Sequence, residues 1–150
     1  MKNKILAFAL GNTTRADDGA GIALARGLED VVPGVEVIEA QELVPEHAEA
    51  LAGAAGVLFL DASVAGTPGE VRSAHLVPRA ARVAILHALM PEEILDLART
   101  LHGRAPPAGL VTVAGREFAF GEGLSPEVEA ALPFAREKAR ELVEAFRLRS

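Results

Sequence analysis

Lys4-Ile5-Leu6-Ala7-Phe8-Ala9-Leu10 is a nearly continuous apolar run that stops at Gly11-Asn12. A strand with one face in water alternates apolar and polar side chains, whereas a strand covered on both faces does not, so this run predicts a buried strand of a parallel sheet. The residues that follow extend the pattern. Gly19 to Glu29 carries Gly21, Leu24, Ala25 and Leu28 at helical spacing, with glycines that let a helix lie close to a sheet, and Pro33-Gly34 ends it. Val35 to Ala40 predicts a second strand, Pro45 opens a helix through about Ala52, and Gly56 to Leu60 is a third strand of purely apolar character. A β-α-β-α-β order implies parallel strands joined by right-handed crossovers, with helices on both faces.

Gly66-Thr67-Pro68-Gly69 is a turn, and Glu70 to Val77 alternates as an edge strand does. Pro91 to Leu101 places Ile94, Leu95, Ala98 and Leu101 at helical spacing, with Pro106-Pro107 expected to close the helix. Leu110 to Ala114 is the last strand. Ser125-Pro126 starts the final helix with a capping hydroxyl and a first-turn proline. Its stripe runs Val128, Ala131, Leu132, Ala135, Ala139, Leu142, Val143 and Phe146, with Glu137 and Arg140 paired on the outer side. The expected architecture is α/β in three layers, a twisted, mostly parallel sheet of about five strands between helices. One domain is expected to span residues 1–150.

Composition narrows the chemistry. At 150 residues and 50% hydrophobic content the chain can bury a core of its own. It has no cysteine, so a disulfide framework, a cysteine nucleophile and a thiolate metal site are all excluded. A net charge of -6, with scattered basic residues and neither Trp nor Tyr, offers no footprint for nucleic acid. Asp17 and Asp18 interrupt the apolar N-terminal region well before the roughly 20 residues of a membrane span, which predicts a soluble, cytoplasmic protein. No long apolar seam is evident, so a monomer is expected.

Ligands of open parallel sheets bind outside the carboxyl ends of the strands, which singles out Asp18 and Asp61. Asp61 directly follows Val57-Leu58-Phe59-Leu60, on the end of a central strand; its ordinary alternative is a turn or cap aspartate. Asp17-Asp18 precedes Gly19-Ala20-Gly21 at the mouth of the first helix, where acidic groups also suit the positive end of the helix dipole. With Leu at position 24 and no following lysine, these glycines form neither a dinucleotide fingerprint nor a phosphate-binding loop. His87 follows Val83-Ala84-Ile85-Leu86 and stands four residues before Pro91, which predicts a loop at the sheet rim. A lone histidine there is more often structural than chemical. His47, His75 and His102 read as surface or packing residues. Ser63 lacks the Gly-x-Ser-x-Gly setting of a nucleophile elbow.

Taken together, these segments resemble a known family. Gly11-Asn12-Thr13-Thr14-Arg15-Ala16-Asp17-Asp18-Gly19-Ala20-Gly21 resembles the Gly-Asn…Asp-Asp/Glu-Gly-x-Gly motif of the hydrogenase maturation endopeptidases. Leu60-Asp61-Ala62 follows the third strand as in that family, and His87-Ala88-Leu89-Met90-Pro91-Glu92-Glu93-Ile94-Leu95 is similar to its His…Pro-Glu-x-Leu segment. Gly123-Leu124-Ser125-Pro126 also fits, so the resemblance runs from Ile5 to the last helix. One departure is the segment Glu39-Ala40-Gln41-Glu42-Leu43-Val44-Pro45-Glu46, which stands where many relatives carry Asp-Gly-Gly and resembles a different branch. Another is Met90, at a position where a capping hydroxyl is expected.

The resemblance implies a twisted sheet between helices, of the phosphorylase/hydrolase-like kind. It also implies an aspartic-type or metal-dependent endopeptidase that removes a short C-terminal peptide from the nickel-loaded precursor of a nickel-iron hydrogenase large subunit. By motif position, the family's metal-contacting residues correspond to Asp18, Asp61 and His87, which are also the catalytic candidates. Nickel is expected to arrive with the precursor, other divalent metals being able to substitute. Two nearby carboxylates resist joint ionisation unless a cation lies between them, and a neutral imidazole adds a borderline ligand, a set that suits nickel, zinc or cobalt. Whether Asp18 or Asp61 acts as a base or only as a ligand stays open on the sequence. Two rival readings are a metal-free hydrolase of similar fold, such as a peptidyl-tRNA hydrolase, and a metal-binding maturation chaperone that docks without cutting.

Overall fold

A computed structural model describes residues 4–80 and 88–149. Among the described residues five strands form one sheet in the order β2-β1-β3-β5-β4, namely β1 (Ile5–Leu10), β2 (Val35–Ala40), β3 (Gly56–Ser63), β4 (Val71–Leu76) and β5 (Ala108–Ala114). β1, β2, β3 and β5 run parallel, and β4 closes one edge antiparallel to β5. The α/β architecture expected from the apolar runs is the one observed.

All six residues of β1 are buried. Ile5, Ala7 and Ala9 join Leu58 and Leu60 of β3 in a core beneath α1 (Ala20–Arg26) and α4 (Pro126–Leu148). Leu6, Phe8 and Leu10 join Val57 and Phe59 beneath α2 (His47–Ala52) and α3 (Pro91–His102). Both faces of the central strands are therefore covered, which is why neither strand alternates. Phe8 and Phe59 stack across the second core with ring centroids 5.7 Å apart.

Three local expectations are corrected by packing. The first helix ends at Arg26 rather than Glu29, and a short 3-10 turn, Leu28–Asp30, follows. At Gly27 a side chain would meet the Arg136 guanidinium at 2.5 Å, so the backbone there makes room for an arginine that donates to the Ala23 and Leu24 carbonyls. Gly103, in the left-handed region at φ 80°, closes α3, while Pro106-Pro107 leads into β5. Ser125 stands before Pro126 as predicted, but its hydroxyl does not cap α4 and is used elsewhere.

The connections set the location of any ligand site. β1 is followed by α1 on one face and leads to β2; β2 is followed by α2 on the other face and leads to β3, on the opposite side of β1. The chain thus reverses direction between β1 and β3, and the crevice outside their carboxyl ends is the topological switch point. β1 stops at Leu10, whereas β3 continues through Asp61, Ala62 and Ser63, paired there with Thr112, Val113 and Ala114 of β5. Asp61 is thus a strand residue standing above the end of β1.

Candidate active site

Asp18 reaches the crevice from the 3-10 turn Ala16–Gly19 between β1 and α1. Its Oδ2 accepts a 2.8 Å hydrogen bond from the Asn12 amide. Gly11, at φ 134°, allows this close approach: a Cβ there would lie 2.0 Å from the Asp18 carbonyl oxygen. Helix α1 is drawn equally tightly to the strand ends, because Gly21 offers no side chain to the Leu60 and Leu10 carbonyl oxygens. Asn12 is itself fixed in an Asx turn, its Oδ1 accepting from the Thr14 amide at 2.9 Å and the Thr14 hydroxyl at 2.6 Å.

Asp61 lies near enough to Asp18 to feel its charge. Burial of its carboxyl, with the Asp18 charge adding to the effect, pushes its pKa from 3.8 up to about 7, opposed only in part by the 2.8 Å hydrogen bond from the Ala62 amide. The two sequence-predicted aspartates are thus electrostatically coupled, and each leaves part of its side chain open to solvent. A divalent cation between them would favour both charged forms, so the donor chemistry fits one. Among the described residues no cluster of three carboxylate or imidazole groups forms a metal site. His87, the third predicted member, lies outside the described residues.

The residues directly after His87 are anchored. Leu89 bridges to the buried Leu43, inside the segment Glu39–Glu46 that departs from the Asp-Gly-Gly pattern. Met90 is the N-cap of α3 without a capping hydroxyl, and Glu93 Oε1 instead accepts from its amide at 2.8 Å, one half of a capping box. Glu93 is fully buried. Its place three residues after the cap was a readable signal that the sequence analysis did not use.

Asp17 was the larger omission. It read as a helix-dipole residue, yet its carboxylate is wholly buried. Asp17 Oδ2 accepts from the Arg116 amide at 2.7 Å, the Glu117 amide at 3.0 Å and the Ser125 hydroxyl at 2.8 Å, while Oδ1 accepts from the Ser125 amide at 2.7 Å. Burial alone would raise its pKa, but these donors outweigh it and hold the carboxyl below its ordinary value. The remaining candidates keep structural roles. His47 Nδ1 accepts from the Val44 amide and its ring meets Phe8 edge-on, His75 packs against Phe146, and Ser63 closes a local turn with Ala65.

Beside Asp18 lies a cleft of about 250 Å³ lined by Gly11, Asn12, Thr13, Ile22, Arg26, Glu39, Ala40 and Gln41. A second hollow of about 180 Å³, bounded by Ala16, Gly19, Ala23, Gly123 and Leu124, shares Thr13 and Arg26 with it. Arg26 pairs with Glu39 at 3.2 Å beside the first cleft. The two hollows give the rim of the site length as well as depth.

This arrangement of sheet and helices matches solved structures over nearly its whole extent. The hydrogenase maturating endopeptidase HybD from E. coli shares 23% identity at a TM-score of 0.74, covering 95% of this chain and 93% of that one. The [NiFe] hydrogenase maturation protease HybD from Thermococcus kodakarensis shares 27% identity at a TM-score of 0.69, covering 93% and 98%. The chain shares its fold with hydrogenase maturation proteases. The HycI protease of Thermococcus kodakarensis extends the likeness, with 20% identity, a TM-score of 0.70 and coverage of 95% and 93%. No family model and no curated relative matches the sequence. Among the described residues no helix of this maturation-protease fold is long and apolar enough to cross a membrane.

Proposed function

We propose that this protein is an endopeptidase that removes the C-terminal extension of a nickel-loaded hydrogenase large-subunit precursor in the cytoplasm, acting as a monomer. The observation that carries the reading is the coupling of Asp18 and Asp61 across the switch-point crevice. Two partly buried carboxylates that repel each other form an incomplete site, and a cation carried by the substrate completes it. His87 supplies the imidazole of the set, with nickel as cargo and other divalent metals able to substitute. Correct loading of the precursor then becomes correct positioning, because the cargo that docks between the carboxylates also fixes the neighbouring peptide.

Hydrolysis needs a water oxygen to bond to the scissile carbonyl carbon, the C–N bond to break, and a proton to reach the leaving amine. Asp18 or Asp61, ionised beside the cargo, would take a proton from the attacking water and return it to the amine. The hollows on either side of Thr13 would receive the chain flanking the scissile bond.

The test is a mass shift. Purified protein incubated with nickel-loaded precursor should shorten the precursor at its C-terminus, and Asp61→Asn or His87→Ala should abolish the shortening while the circular dichroism spectrum is retained. A stable complex with the precursor at unchanged mass would identify a binding module and overturn the reading.

A further inference from the structure

The segment that carries Asp18 is strained and is held from a distance. Ala16 lies in the left-handed region at φ 50°, a conformation that a residue with a Cβ adopts only when its surroundings impose it. Those surroundings are the connection between β5 and α4. Ala16 donates to the Gly121 carbonyl at 2.7 Å, Asp17 to the Glu117 carbonyl at 2.9 Å, and Gly121 to the Thr14 carbonyl at 2.9 Å. At the centre is the Asp17 carboxylate, fully buried, with hydrogen bonds from Arg116, Glu117 and Ser125. Gly115 permits the approach, since a Cβ there would lie 2.7 Å from the Asp17 Cβ.

Asp17 and Asp18 are adjacent on a tight 3-10 turn, and the Asp18 amide donates to the Arg15 carbonyl at 3.0 Å within that turn. Rotation of the turn would carry the Asp18 carboxylate away from both the Asn12 amide and Asp61. We propose that Asp17 is a positioning residue: its buried hydrogen bonds lock the strained Ala16–Gly19 turn and so fix the Asp18 carboxylate opposite Asp61. The inference rests on the reading that these two carboxylates receive the nickel cargo. It adds that the aim of Asp18 is set by the N-terminal end of α4, more than 100 residues away in the chain.

The experiment is calorimetric titration of the full-length protein with nickel chloride, well below the unfolding temperature of each variant. Wild type should bind, and Asp18→Asn should not. Asp17→Asn turns one acceptor into a donor against amides that also donate, and should weaken nickel binding at least tenfold in a folded protein. Ser125→Ala removes a single donor and should weaken it severalfold, and this variant decides the matter if Asp17→Asn does not fold. A purely structural role would lower thermal stability without changing the affinity of the folded protein. Wild-type affinity in folded Asp17→Asn, or in Ser125→Ala alone if the former is unfolded, overturns the inference. Absence of nickel binding in wild type overturns the cation reading of the site, and this inference with it.

Discussion

Gly21 and Leu60 are in backbone contact: a Cβ on Gly21 would lie 2.3 Å from the Leu60 carbonyl oxygen. This contact seats α1 directly on the end of β3 and fixes how near the Asp18 turn comes to Asp61. Gly21→Ala should therefore destabilise the protein, even though alanine favours helix by up to about 1 kcal/mol. Overpacking against rigid carbonyls outweighs that gain, and a net loss of about 1–3 kcal/mol is expected. Urea denaturation measures it, and an unchanged or higher midpoint would show that the helix has room to spare.

Asp61 makes stability depend on pH in a definite direction. In the unfolded chain its carboxyl ionises near 3.8, and in the metal-free folded protein at about 7, so between these values the folded state holds the extra proton. Its stabilising contribution is complete below the unfolded value and is lost as pH rises through the folded one, a change on the order of 4 kcal/mol for a shift of about three units. Asp61→Asn should flatten the stability profile between those values. Nickel binding should run the other way, strengthening about tenfold per pH unit below 7 as proton and cation compete for the carboxylate.

Asp17 has the opposite sign. Its folded-state pKa is depressed, so its contribution is present above the unfolded value of 3.8 and disappears as pH falls through the lower folded value. Replacement by Asn should cost about 2–4 kcal/mol at neutral pH, because buried donors lose a charged acceptor. The difference from wild type should shrink towards acid pH in parallel urea titrations.

Much of this was legible in the sequence because β1 and β3 are buried on both faces and therefore read as uninterrupted apolar runs. Gly21 marked the close approach of the first helix to the sheet, and the ends of β1 and β3 directed attention to Asp18 and Asp61. The rest depended on long-range pairing. Arg136 terminates α1 at Gly27 from a helix over 100 residues on, and nothing local to Leu28 announces that. The Ser125 hydroxyl matched a helix-cap pattern, yet it serves Asp17, a stronger charged acceptor. Asp17 itself could not be told from a dipole residue, since its four donors lie in a segment brought close only by the fold.

The central claim is that a cation carried by the substrate joins Asp18 to Asp61 and so licenses cleavage. The most direct measurement incubates the protein with matched hydrogenase large-subunit precursors, one loaded with nickel and one without, and follows the C-terminal truncation by mass spectrometry. Rapid shortening of the loaded precursor and none of the empty one is predicted. Equal processing of both would contradict the account.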